Sequence, residues 1–569
     1  LSWYEQATAT SESMGYGQKS PFQDISSAED LDGDYRNSVR LLCALGDIQT
    51  AFETAERAKV RTDFNLITVS QRRIAGLMSD SSRARIMRIR SELEQKHAKL
   101  ASESQKRFPE NDGEAELGIL SDIANLEVEY RKLLDSAKVR DPGYYNLLNP
   151  TVMSVGYLQT GILGPDQAIL EYAVGEEQTE AFLVKLDTLL HFTIDRTRAD
   201  LSSLVGRTSL LFNEEAQGLQ IWNPVLANFD VMSCRELYRL LVEPIADQLQ
   251  DVRHIFVVPD DVLKRVPFGV LVTEVPDDTD HVGFQDVKFL IDGFELSYAP
   301  SASILDPRFK VVKRPRKLLL ALGNPTLSEV RQNSGIEILP VTLRHTMSLP
   351  ILPGAEKEVS LINRVFDNRA DLFVGDEASK TLFKQLAPQY KILHVAAHAS
   401  ADNVRPLHSS IYLAVDPESD DDGVLRAFEF FNLELNADLA VLSACNTGRV
   451  RDGQGLEGLV RGLVFAGVPS VVATLWVVED EATAMLMERF YSYLKQGERK
   501  SRALQMAKLD LIRSGKSDPF YWAGFILIGD ASPIDFSDID STREWTWVAV
   551  LSLMVALIEV IVYRKVVTE

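Results

Sequence analysis

From about Leu352 to Asp530 short apolar runs alternate with longer segments of helical period. The runs are "KILHVAA", "SSIYLAV", "LAVLSA", "PSVVATLW" and "WAGFILIG"; between them lie "SKTLFKQLA", "LEGLVRGLVFAG", "EATAMLMERFYSYLKQG" and "KSRALQMAKLDLIRS". Strands apolar at successive positions are buried on both sides, so the pattern predicts an α/β unit, mostly parallel, with helices on both faces. Further upstream, "QAILEYAVG", "TEAFLVKLD", "LLHFTID", "HIFVVPDDVLKRVPFGVLV" and "KLLLALGNP" are apolar or alternating runs bounded by turn residues, which read as more sheet.

The amino-terminal pattern is helical. "YRNSVRLLCALGDIQTAFETAERAK" reads as two helices broken at Gly46, with Leu41, Leu42 and Leu45 on one stripe and Ala51, Phe52, Ala55 and Ala58 on the other. The pair fits a tetratricopeptide (TPR) unit or a plain helical hairpin, with "WYEQA" as the end of a further repeat. The chain opens on Leu1 within a helical pattern, so more sequence is expected upstream. Residues from about Ser81 to Lys138 are charge-laced and read as two antiparallel bracing helices. At the other end "WTWVAVLSLMVALIEVIVY", Trp545 to Tyr563, is long enough to cross a hydrocarbon layer of roughly 30 Å, with Glu559 its one carboxylate.

These readings divide the chain into TPR-like helices over 1–70, a long helical hairpin over 71–140, and a first sheet-bearing unit over 141–345. An α/β domain over 346–532, an acidic linker over 533–544 and a transmembrane helix over 545–563 follow. Basic residues beyond the span favour an external α/β domain, whereas the cysteine usage and the lack of a secretory signal favour the cytoplasmic side, which is the expectation.

At 569 residues several units are expected, and 45% hydrophobic with 25% charged residues is a globular composition. A formal charge of −22 argues against a nucleic-acid partner. Cys43, Cys234 and Cys445 are odd in number and far apart, so no disulfide framework, metal site or cofactor is expected.

His398 follows one strand and Cys445 another. Side chains past the carboxyl ends of parallel strands face a common crevice, and neighbouring strands are roughly 4.8 Å apart. On adjacent strands the imidazole could take the thiol proton, and the amides of Cys445 and Ala399 could bind an oxyanion. A buried thiol and a core histidine are the plainer alternative, and His394 and His408 compete for the base. Glu479 and Asp480, in "LWVVEDEAT", either select Arg or Lys in a substrate or begin a helix. Gly453 to Leu459 lacks the Lys-Ser/Thr of a phosphate loop and reads as close helix packing.

"KILHVAAHAS", "LAVLSACNTG", "GLEGLVRGLVFAGVPSVVATLWVVEDEATAMLMERFYSYL" and "DPFYWAGFILIGD" resemble the CHAT family of caspase-like proteins, which often carry TPR repeats. So do "VVPDDVLKRVPFGVL", "LSYAPSASIL" and "LPGAEKEVSLI". The resemblance implies a cysteine peptidase with His398 as base and Cys445 as nucleophile, makes His394 structural, and makes 141–345 the non-catalytic half and 346–532 the catalytic domain. The chain departs from the family at Ala399, where relatives usually have glycine, and at Asn446, where many have glutamate. The expected function is a membrane-anchored caspase-like endopeptidase that cleaves protein substrates after a basic residue. Its expected regulator is a protein partner at the TPR-like helices. A silent scaffold at a membrane, or a hydrolase of small amides or esters, is the alternative.

Overall fold

The computed structural model describes residues 29–67, scattered helical positions between 85 and 132, and 152–208, 230–276, 284–306, 315–327, 351–402, 406–419, 421–443, 445–446, 455–476, 479–537 and 539. Helices α1 (Glu29–Ala44) and α2 (Ile48–Ile67) form the amino-terminal hairpin. Gly46 ends α1 with φ of +79°, a left-handed conformation that glycine adopts without steric cost. The Asp47 amide then donates to the Leu42 carbonyl at 3.0 Å. Leu42, Ala51, Phe52 and Ala55 are buried as the stripes require, with Tyr35 and Val39 beside them. Leu45 departs from its stripe: it lies past the last residue of α1 and is 70% exposed.

The hairpin is docked by polar as well as apolar contacts. Phe52 meets Phe182 edge-on at 5.7 Å between ring centroids, an arrangement worth about 0.5–1.5 kcal/mol beyond burial. Glu56 accepts from the Ala302 amide at 2.7 Å, the Ser303 amide at 2.8 Å and the Ser303 hydroxyl at 2.6 Å. Lys59 Nζ donates to Glu171 Oε1 and to the Tyr172 carbonyl, each at 2.7 Å. Burial, with Glu56 close by, pushes the Glu171 carboxyl well above its ordinary range against the pull of Lys59. In the next segment Arg85 bridges to Glu129 and Lys96 to Asp122. One partner advances along the chain as the other retreats, which is antiparallel packing.

Strands β1 (Gln167–Val174), β2 (Thr179–Lys185), β3 (Thr188–Ile194), β4 (His254–Val258), β5 (Val272–Glu274), β6 (Lys288–Phe289) and β7 (Glu295–Tyr298) come first. They are followed by β8 (Lys317–Pro325), β9 (Ala370–Gly375), β10 (Tyr390–Ala396), β11 (His398–Ser400), β12 (Ser410–Tyr412) and β13 (Val424–Arg426). Last are β14 (Leu439–Leu442), β15 (Cys445–Asn446), β16 (Ser470–Thr474) and β17 (Phe525–Gly529). Eleven of these form one sheet in the order β3-β2-β1-β4-β7-β17-β16-β14-β10-β8-β9. Only the β1–β2, β2–β3 and β16–β17 pairs are antiparallel. The sheet is continuous: β17 joins the two halves through Ile528 opposite Tyr298. β8, read from sequence with the amino-terminal half, lies between β10 and β9 in the other half.

Alternating side chains supply two cores. On one face Ile169, Phe182, Leu319, Ile392 and Val441 share a cluster with α1 and α2, α5 (Pro353–Val365), α8 (Asp480–Lys495) and α9 (Lys500–Arg513). On the other, Leu320, Leu393 and Ala440 meet α6 (Lys380–Leu386) and α7 (Gly455–Phe465), while Leu170 and Leu183 meet α3 (Arg198–Thr208) and α4 (Val231–Leu241). The expected mostly parallel sheet with helices on both faces is what the chain forms.

The expected membrane anchor is withdrawn. No helix among the described residues is long and apolar enough to cross a membrane. Trp545–Tyr563, on which the single-pass anchor and the cytoplasmic placement of the catalytic domain rested, lies outside those residues, as do residues 1–28 with "WYEQA".

Candidate active site

β10 and β14 are parallel neighbours, with Ile392 opposite Leu439 and Val395 opposite Leu442. Beyond their ends the same register carries on in β11 and β15, where His398 stands opposite Cys445 and Ala399 opposite Asn446. A one-residue slip would turn every side chain over to the opposite core, so it is the packing of each core, not an apolar–polar alternation, that holds this register. His398 is 4% exposed.

β11 is braced from its other side. It pairs with β12, which pairs with β13, completing the four-stranded sheet β13-β12-β11-β15. Lys380 at the start of α6 holds that sheet: its Nζ reaches Asp422 at 2.8 Å, Glu429 at 3.0 Å and the Val424 carbonyl at 2.9 Å. Burial raises the Asp422 carboxyl, but Arg426 and Lys380 outweigh it and hold the group at about 2.

The other two histidines are placed elsewhere. His394 is fully buried on the α5 and α8 side, its Nδ1 3.0 Å from the Tyr491 hydroxyl and its Nε2 3.1 Å from Glu358 Oε1. His408 packs edge-on against Phe428 at 5.5 Å. Neither stands opposite Cys445.

The adjacent acids divide their roles. Glu479 caps α8, accepting from the Glu481 amide at 3.2 Å and the Ala482 amide at 2.9 Å, and Lys516 lies 3.3 Å from it. Asp480 instead lies against the start of α5, where a Cβ on Gly354 would come within 2.3 Å of its own Cβ. That contact explains the glycine in "LPGAEKE". Asp480 and Glu358 line one cavity of about 20 Å³, together with Ser443 and Thr474 at the carboxyl ends of β14 and β16. Ser443 Oγ also donates to Glu358 Oε2 at 3.1 Å. Glu358 was missed in the sequence because only packing of α5 over the strand ends brings it there.

After β15 comes α7, which crosses the Pro406 turn so closely that a Cβ on Gly458 would lie 1.7 Å from the Pro406 carbonyl oxygen. Glycine serves close packing here, not phosphate binding. Glu457 at the head of α7 bridges to Lys264 at 2.9 Å. Burial raises its carboxyl, yet Lys264 and Arg461 hold it below its ordinary range. Helix α2 also lies beside α7, so the amino-terminal hairpin touches the element that follows Cys445. One group among the described residues, Cys43, Glu180 and His191, brings ligand atoms close enough to hold a metal ion. It lies at the opposite end of the sheet from β14.

Comparison with known proteins places these features. The chain is similar to Tetratricopeptide repeat protein 28 of Mus musculus, 27% identical over 337 residues, and to that of Homo sapiens, 24% identical over 344 residues. Each match covers 52% of this chain but 13% of the relative. Among solved structures, the Saccharomyces cerevisiae separase–securin complex matches with TM-score 0.41 and 9% identity, over 92% of this chain and 39% of that one. The Arg-specific cysteine proteinase gingipain R matches with TM-score 0.33 and 9% identity, over 59% of this chain and 75% of that one. Residues 231–530, more than half the chain and the whole of the site described above, match the CHAT domain, and the chain belongs to that family.

Proposed function

We propose that the protein is a cysteine endopeptidase with Cys445 as nucleophile and His398 as general base. The observation that carries this reading is the register that sets the two residues opposite each other at the end of the central strands. His398 takes the thiol proton, and the thiolate attacks the scissile carbonyl carbon. The amides of Cys445 and Ala399 receive the oxyanion. As the intermediate collapses the C–N bond breaks, and the proton passes from His398 to the leaving amine. Water, deprotonated by His398, then cleaves the thioester, releasing the carboxylate and restoring the thiol. Asp480, with Glu358 beside it, would receive the basic side chain before the scissile bond. The α2–α7 contact gives a partner bound at the TPR-like helices a route to the site, and the name of the mouse and human relatives accords with such a module.

A second reading, a scaffold that keeps the fold without the activity, is favoured by the cavity itself. At about 20 Å³ it has room for about one water and none for a lysine or arginine side chain. Cleavage after a basic residue held by Asp480 therefore requires the start of α5 to move away from it. Cleavage of a diverse peptide library by the full chain, beside Cys445→Ala and His398→Ala, separates the readings. Cleavage after Arg or Lys that both substitutions abolish supports the enzyme. No cleavage, with a Cys445 that reacts with iodoacetamide no faster than a free thiol, supports the scaffold.

A further inference from the structure

We propose that Cys43, Glu180 and His191 form a zinc-type metal site that clamps the amino-terminal hairpin to the outer strands of the sheet. Cys43 lies in the last turn of α1, Glu180 on β2 and His191 on β3. The cysteine is 137 residues from the glutamate in sequence, and only docking of α1 against the sheet brings them together. The thiol sulfur, a carboxylate oxygen and a ring nitrogen lie within 4.8 Å of one another. The placement follows from the β2 register: Glu180 shares its face with Phe182 and Val184, the residues that bury against the hairpin. His191 is opposite Phe182 on β3, diagonal to Glu180.

The donor set has the chemistry of a zinc site. Thiolate, imidazole and carboxylate are the three ligand types this ion takes, and three protein ligands leave a fourth position for water. A thiolate and a carboxylate together neutralise a divalent cation, so the complex can be buried without net charge. A cysteine that coordinates such an ion does so as the thiolate. Glu180 Oε2 now accepts from His191 at 2.6 Å and Thr193 at 2.9 Å, and Oε1 from Gln178 at 2.6 Å. On binding, the Cys43 thiol gives up its proton to solvent, and the His191 nitrogen that now faces Glu180 exchanges its hydrogen bond for the metal bond while the other ring nitrogen carries the imidazole proton. With metal–ligand bonds of about 2.0–2.2 Å in a tetrahedral arrangement, nitrogen and oxygen must part to roughly 3.3 Å. The Thr193 and Gln178 donors would remain to orient the carboxylate, as outer-sphere groups commonly do. The His191 side chain is 16% exposed, which leaves the ion a way in from solvent.

The site is independent of the peptidase reading, and its test uses the full chain. Protein purified without chelator, then loaded with Zn²⁺ and dialysed, is expected to retain one equivalent. Co²⁺ is expected to give a thiolate-to-metal charge-transfer band that Cys43→Ala and His191→Ala abolish and Cys445→Ala leaves intact. Protection of Cys43 from iodoacetamide by Zn²⁺, mapped by mass spectrometry, gives a readout that needs no substituted chain. Absence of retained zinc, a band that survives Cys43→Ala, or alkylation of Cys43 at the same rate with and without Zn²⁺ would each overturn the proposal.

Discussion

Replacing Lys59 with methionine keeps most of the side-chain volume and removes the cation that bonds to Glu171. The two side chains are 11% and 0% exposed, so solvent screening is slight. Two unit charges 2.7 Å apart attract by about 6 kcal/mol at an effective dielectric constant near 20, and both have been desolvated to meet. Removing one member of a buried pair costs about 3–5 kcal/mol, because the other charge is left without compensation. The damage should be local, since Lys59 joins α2 to β1. Hydrogen exchange of peptides from Ile48–Ile67 is the assay, and that energy corresponds to exchange faster by roughly two to four decades. The defect has a pH signature. The Glu171 carboxyl is raised in the folded chain, so the folded state binds its proton more tightly than the unfolded chain does. Stability is then greatest below the ordinary carboxyl range and falls as pH rises through the raised value. Lys59→Met should therefore be milder near pH 5 than near pH 8, each compared with wild type at the same pH. Adding Glu171→Gln should restore most of the loss. Exchange within tenfold of wild type, or a double variant no better than the single one, would refute the reasoning.

Two further outcomes follow from the packing. Burial drops the Lys508 amine to about 7, against about 10.4 in an unfolded chain, so stability should rise with pH between those values. Lys508→Met should raise stability by about 3–5 kcal/mol below pH 7 and by little above pH 10; equal gains at pH 6 and pH 10 in thermal melting would disprove this. Gly458→Ala forces a carbon into the Pro406 carbonyl and should destabilise by about 1–3 kcal/mol or more. Gly206→Ala, with open space at its Cβ, should be neutral or stabilising by up to about 1 kcal/mol; equal melting losses in the two would show that the contact is relieved.

What could be read from the sequence was whatever depends on local period. β10, β14, β16 and β17 were visible as apolar runs because both their faces are covered, and Gly46 marked the hairpin turn because few other residues end a helix so readily. Strand order was not visible. Nothing in "WAGFILIG" says that β17 runs antiparallel beside β16 and parallel beside β7, and nothing in "KLLLALGNP" assigns β8 to the far half. The positions of His398 and Cys445 at strand ends were legible, but their mutual register depended on which strands are neighbours. Glu479 and Asp480 could not be told apart, since capping and pocket lining ask for the same carboxylate. Glu358 and the Cys43, Glu180 and His191 group exist only through contacts between distant segments.

β17 is the last strand in the described chain, yet it occupies the middle of the sheet, between β7 and β16. Order of synthesis and order of assembly are thereby opposed. When β7 and β16 have left the ribosome, each still presents a bare strand edge, and bare edges invite pairing with other chains. Neither lobe can close until Phe525–Gly529 emerges to fill the gap between them. A chain that stops before those residues would leave two unfinished edges, and with them an aggregation hazard, rather than a smaller folded protein. Translation through Phe525–Gly529 is thus a condition for a sheet without a gap at its centre.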